Sequence, residues 1–282
     1  MLGLMVSVLL AVGKMVAGVL GNSFALVADA VESLVDVAGS AILWSAMCYG
    51  EKPADGEHPF GHGKAEAVAG LAVAGLVLGA GVWIAIESVH QIITPHVPPA
   101  GFTLAVLVGV IVVKESLARV ADRAARRAGG SSAGDADAWH HRSDAITSAF
   151  AFVGISAALL GGPGWARADD VAALLASGVI VFNGLRIARG PWDEIMDRND
   201  GEVAQRAADI AMTVPGVCAI ERCEARRSGR GFRVVMHAEV DGSMTVDASH
   251  RITGMIKQAV RTARSEIDTV LVHIEPHEAV DG

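Results

Sequence analysis

Asp29-Ala30-Val31-Glu32-Ser33-Leu34-Val35-Asp36 sets three carboxylates inside an apolar run that reaches from Phe24 to Met47. The run is long enough to cross a bilayer as a helix. Asp29, Glu32 and Asp36 are spaced i, i+3, i+7, so a helix places all three on one face. Each charge near the centre of a bilayer costs about 2.5–3.5 kcal/mol on insertion scales. Three of them on one face need a partner: a cation, basic side chains or protons.

Other apolar runs flank this one. Leu2–Leu20 is interrupted only by Lys14, and Gly21-Asn22-Ser23 is a tight turn before Phe24–Met47. Ala65–Ile93 is a third span, with Glu66 near its start and Glu87 near its end. Thr94–Ala100, with three prolines, turns the chain into a fourth span, Phe102–Val120. Lys114, Glu115 and Arg119 fall inside that fourth run, so it either lines a cavity or projects beyond the membrane. Gly129–Gly134 is a flexible link, Trp139–Leu160 a fifth span, Gly161–Gly164 a turn and Val171–Ile187 a sixth span.

Composition agrees. Of 282 residues, 52% are hydrophobic but only 5% aromatic, so Ala, Val, Leu and Gly carry the apolar character. Mean hydropathy is +0.43. Small residues suit close helix packing in lipid. Net charge is −8, which argues against a nucleic-acid partner. Cys48, Cys218 and Cys223 are an odd set without a CxxC pair, which argues against a disulfide framework or a thiolate zinc site. Met1–Leu20 begins apolar at once, with no basic lead-in, so it reads as a first membrane helix and not a signal peptide; a start further upstream is expected.

Basic residues set the orientation. Lys52, Lys64, Arg119, Arg123, Arg126, Arg127, Arg186 and Arg189 follow the even-numbered spans, whereas the opposite loops carry only Arg167. The even-numbered ends are expected in the cytoplasm, with both termini inside.

The first domain is therefore expected over residues 1–190 as six spans, and a second over 191–282. In the second, Val203, Ala207, Ile210, Ala211 and Val214 recur at helical spacing. Val217–Glu224 reads as a strand, and Phe232, Val234, Met236, Ala238 and Val240 alternate on one face of another. Ile252, Met255, Ile256, Ala259, Val260 and Ala263 mark a second helix, and Val270, Val272 and Ile274 a last strand. The fold class is thus a six-helix transmembrane bundle followed by a small cytoplasmic α+β domain of order α-β-β-α-β.

Three constellations carry chemistry. Glu32 and Asp36 in span two, with His140 and Asp144 in span five, form two i, i+4 pairs. On facing helices they present three carboxylates and an imidazole to one ion, a set suited to zinc, manganese, iron(II) or cobalt. The alternative is a proton relay or structural pairing with Lys14 or Arg142. His141 competes with His140 for the inward position, and Asp29 is either a further ligand or a capping or supporting group. The loop Asp55…His58-Pro-Phe-Gly-His62 can fold round an ion or simply be solvated. In the second domain His237 lies opposite its strand's apolar set, His273 and Glu275 share the corresponding face of the last strand, and His250 lies on its helix away from Ile252, Met255 and Ile256. They read as a metal site if they converge, or as a solvated polar face.

Taken together, Glu32-x-x-x-Asp36, His140-x-x-x-Asp144 and Asp55…His58-Pro-Phe-Gly-His62-Gly-Lys64-Ala-Glu66 resemble the cation diffusion facilitator family, over essentially the whole chain. The resemblance implies a homodimeric exporter of divalent transition metals in the cell (inner) membrane, working in exchange for protons. It implies a transport site at Glu32, Asp36, His140 and Asp144, and a loop site at Asp55, His58 and His62. It implies a metallochaperone-like dimerising tail with metal positions at His237, His250, His273 and Glu275, and a charge pair, Lys64 with Asp197, that ties the membrane dimer together. Two positions depart from the zinc-transporting pattern: Glu32 stands where Asp or His is common, and Glu221 stands at the first histidine of the tail. No HExxH and no nucleophile beside a base are present, so an enzyme is not expected. A membrane metal sensor or assembly scaffold without transport is the alternative function.

Overall fold

The computed structural model describes residues 2–94, 98–127 and 147–277, side chains excepted at a few positions. Helices α1 (Leu2–Leu20), α2 (Phe24–Gly50), α3 (Lys64–Ile93), α4 (Phe102–Arg127), α5 (Thr147–Leu160) and α6 (Ala168–Ile195) follow the six apolar runs. Then come α7 (Gly201–Ala211), β1 (Ala219–Ser228), β2 (Gly231–Val240), α8 (Val246–Ala263) and β3 (Ile267–Pro276). Among the described residues, α3 and α6 are each long and apolar enough to cross a membrane. α2 matches them in length but carries its three acids.

By proximity the chain forms two units: Met1–Leu43 with Ala72–Ala188, and Trp44–Leu71 with Arg189–Gly282. In the first, Leu26, Ile84, Leu107, Ile155 and Ile180 lie at the centre of the packing. Small residues let the helices close up. A Cβ on Gly184 would come within 2.8 Å of the Leu78 side chain, and one on Gly81 within 2.8 Å of Val181. These are α3–α6 contacts that only glycine permits at that separation. The turn between α1 and α2 uses Asn22 at φ 54. The start of α2 is then capped twice: Ser23 Oγ accepts from Leu26 N–H (3.2 Å), and the buried Asp169 of α6 accepts from Ser23 Oγ (3.0 Å) and Ala25 N–H (3.2 Å). Such caps satisfy the orphan amides of a helix start.

α6 outruns the expected span at both ends and continues through Pro191. Proline removes one helical hydrogen bond, yet here its ring fills the space where a Cβ on Gly70 of α3 would sit, 2.6 Å away. α4 continues as one helix to Arg127, which favours a helix that outlasts its apolar part.

In the second unit, α7 and α8 cover one face of a three-stranded sheet of order β1-β2-β3. β1–β2 is an antiparallel hairpin and β2–β3 is parallel. The core is Val234, Met236, Ala238 and Val240 of β2 against Ala207, Ile252, Ile256 and Val260. This is the apolar alternation expected of β2, and it leaves the odd-numbered residues on the other face. Both helices start on side-chain caps, Asp200 accepting from Val203 N–H and Thr245 from Ala248 N–H.

Candidate metal centres

The acidic face of α2 divides by burial. Glu32 and Asp36 are half-buried, whereas Asp29 is 3% exposed. Asp29 Oδ2 lies 2.7 Å from Lys14 Nζ of α1, and its Oδ1 accepts a hydrogen bond from Ser148 Oγ of α5 (3.0 Å). Lys14 is wholly buried and donates a second hydrogen bond to Ser33 Oγ (3.0 Å). Asp29 is thus neutralised by a neighbouring helix, whereas Glu32 and Asp36 of the same face are less deeply buried. His140, His141 and Asp144 lie outside the described residues.

The loop brings together all three of its expected residues. Asp55 Oδ1 accepts from the backbone amides of Glu57 (3.0 Å) and His58 (2.6 Å), and stands 3.2 Å from His58 Nδ1. Its other oxygen is 3.5 Å from His62 Nε2. A turn closed by Gly61 N–H to the His58 carbonyl (2.9 Å), with Gly61 at φ 75, sets the two imidazoles 4.4 Å apart by ring centroid. One donor atom from each of Asp55, His58 and His62 falls within 4.8 Å of the others. The amide of His58, more than any other contact, holds the Asp55 carboxyl below its ordinary value. His62 is buried and meets the edge of the Tyr49 ring at 4.9 Å; its Nδ1 has no hydrogen-bond partner among the described residues. Tyr49 was missed in sequence, because a ring thirteen residues away gives no periodic signal.

The loop also meets the tail's hairpin within the second unit. Arg233 of β2 donates to the Phe60 carbonyl and lies over its ring, and Arg230 pairs with Glu51 (2.7 Å). Lys64 and Asp197 pair at 2.8 Å within one chain, joining the start of α3 to the end of α6. Arg226 of β1 takes the second Asp197 oxygen, a partner not anticipated from sequence. The hydrogen bond from Lys64 is the foremost cause that keeps Asp197 below the ordinary carboxylate range.

On the open face of the sheet, β2 and β3 are neighbours, with His237 opposite His273 and Glu239 opposite Glu275. His237 Nδ1 is 2.8 Å from Glu275 Oε1, and His273 Nε2 is 3.4 Å from the same oxygen. Glu221 enters through a bulge: pairing shifts between Ile220 and Arg222, so Glu221 is the extra residue and reaches to 3.8 Å from His237. Glu221, His237 and Glu275 offer donor atoms within 4.8 Å of one another. The hydrogen bond to Glu275 raises the Glu221 carboxyl above its ordinary value, and the same bond lowers Glu275. His250 is not brought to this cluster. It is exposed on α8, the layer covering the other face, because α8 turns Ile252, Ile256 and Val260 to the core.

Two family profiles match the chain. Residues 1–196 match the cation efflux transmembrane domain, and 200–277 the cytoplasmic domain of cation efflux proteins. Metal tolerance protein 2 of Oryza sativa subsp. japonica is 30% identical over 301 residues, covering 97% of this chain and 76% of that protein. The manganese efflux system protein MneP of Bacillus subtilis is 28% identical over 283 residues, covering 98% and 95%. The cation-efflux pump FieF of Pectobacterium carotovorum is 30% identical over 265 residues, covering 92% and 85%. Two profiles that together span both domains, and relatives matched along nearly the full chain, converge: the chain belongs to the cation diffusion facilitator family, integral membrane transporters that export metal cations.

Proposed function

We propose that this protein exports a divalent transition metal, zinc, manganese, iron(II) or cobalt, from the cytoplasm in exchange for protons. The observation that carries this is the half-buried Glu32–Asp36 pair within an apolar helix whose third acid, Asp29, is already neutralised by Lys14. The metal is the cargo. His140 and Asp144, one turn apart on the sequence of the fifth span, complete four donors. The manganese named in one relative, together with Glu32 in place of a shorter or softer ligand, keeps manganese in the set.

Proton coupling follows from the donors. A neutral imidazole binds a metal and a protonated one does not. Clustered carboxylates repel, which raises proton affinity when the metal leaves. The emptied site carries protons inward and the loaded site carries metal outward, while the bundle opens to one side at a time. The chain works as a homodimer in the cell (inner) membrane, both termini cytoplasmic, the tail cluster of Glu221, His237, His273 and Glu275 taking a cytoplasmic ion. His250 would join such a site only from outside this cluster.

Proteoliposomes holding an internal pH dye are offered each of the four metals. Uptake of one, with opposite proton movement, is the expected result. Binding without flux of any metal would replace transport by a sensing role.

A further inference from the structure

We propose that Lys14 is a fixed internal countercharge of the transport site, a positioning residue that sets cation affinity by withdrawing Asp29 from the ion. The inference rests on the transport reading of Glu32 and Asp36, and adds to it a residue on a different helix.

Four observations lead here. Lys14 is 0% exposed, although lysine is almost never fully buried unless paired. Its ammonium lies 2.7 Å from Asp29 and 3.0 Å from Ser33, the residue next to Glu32. Asp29 is itself 3% exposed and tied by its other oxygen to Ser148. The cluster therefore joins α1, α2 and α5. Ser148 is one turn on from Asp144 in sequence, just as Asp29 is one turn before Glu32. Along the sequence, the tie thus falls one helical turn from Glu32 and one from Asp144.

Electrostatics give it a second consequence. Asp29 shares a helix face with Glu32 and Asp36. Without the ammonium it would be a third carboxylate aimed at the same ion. With it, α2 presents two. Removing either partner of a buried pair leaves an uncompensated charge, and the sign of that charge differs with the partner removed. A role confined to helix packing has no such sign.

The test measures transport KM and Vmax for Mn2+ and Zn2+ in proteoliposomes, using only protein that elutes as a single species in detergent. Lys14→Met strengthens the negative field and should lower KM; Asp29→Asn leaves a bare ammonium and should raise it. Each shift should be at least about tenfold, and up to a few hundredfold for a unit charge on the order of 10 Å from a divalent cation at an effective dielectric near 20. Lys14→Met with Asp29→Asn, neutral as a pair, should return KM to within about threefold of wild type. KM values unchanged in the single variants, or shifted in the same direction, would overturn the proposal, whatever happens to Vmax and yield. If Lys14→Met does not fold, Asp29→Asn decides alone: a raised KM supports the countercharge and an unchanged one sinks it. Wild-type vesicles that carry none of zinc, manganese, iron(II) and cobalt would refute the transport reading and this inference together, whereas wild-type flux with unshifted variants refutes only the inference.

Discussion

The acidic face of α2 and the open face of the tail's sheet both gather carboxylates, and they handle the charge in opposite ways. Asp29 is 3% exposed and has a lysine and a serine fixed on it from two other helices. In the tail, the Glu221 side chain is 60% exposed and those of Glu275 and His237 are 27% and 30% exposed. There, water carries much of the load, and two carboxylates share a hydrogen bond with one pushed up and the other down. A buried charge needs a permanent protein partner, whereas an exposed cluster tolerates imperfect pairing because solvent screens it. The membrane site is therefore expected to be sensitive to single substitutions and the tail site graded.

The sharpest break of this contrast is Asp36→Ala or Asp144→Ala. Either should abolish metal flux, a loss of at least about 100-fold, while the dimer still forms by crosslinking, since ligand loss exceeds the 10–100-fold typical of supporting residues. Flux near wild type in either would show that the ion does not pass these residues. In the loop, Asp55→Ala or His58→Ala should reduce flux only partly, by about three- to tenfold, because Asp55 and His58 are exposed and water can replace one donor. A complete block, measured in the same vesicles, would move the loop into the obligatory pathway.

The tail gives a smaller, pH-dependent effect. Proton and metal compete for Glu221, whose carboxyl is raised by Glu275. Metal affinity of the full chain, measured by calorimetry with Asp36→Ala blocking the membrane site, should fall as pH drops from about 7 to about 5. Glu221→Gln should flatten the acid end of that profile. A profile identical to wild type would exclude Glu221 as a ligand. Smallest is Asp197→Asn. Its folded pKa is lowered, so its contribution is present above the unfolded value of 3.8 and is lost as pH falls through the lower folded value. Lys64, Asp197 and Arg226 are each more than a third exposed, so screening limits the change to about 1 kcal/mol or less. Thermal melts at pH 7 should show this small difference, and it should vanish in strong acid. A large drop in melting temperature would mean that the pair is shielded from water, for example by a second copy.

Sequence by itself determined whatever is local. Hydropathy placed α1 at Leu2–Leu20, and period-two alternation put Val234 and Met236 inward and His237 outward. Spacing grouped Asp55, His58 and His62, because eight residues of loop can hardly avoid one another. The lone Lys14 in an apolar helix was visible as an anomaly and as a candidate partner of the intramembrane acids, but that Asp29 is the acid it meets was not legible in sequence. Tertiary structure decided what joins residues distant in sequence. The parallel pairing of β2 with β3 brings His237 to His273, thirty-six residues on, and no periodicity encodes a strand's neighbour. The bulge that turns Glu221 to His237 is a one-residue slip of register, invisible to alternation. The placing of His250 on the layer behind the sheet depends on which side α8 packs. The division among three acids on one helix face, one buried against a lysine and two half-buried, depends on which residue of another helix comes to lie beside each. Spacing along a helix fixes only the direction in which a side chain points, while burial and partners come from the elements packed against it.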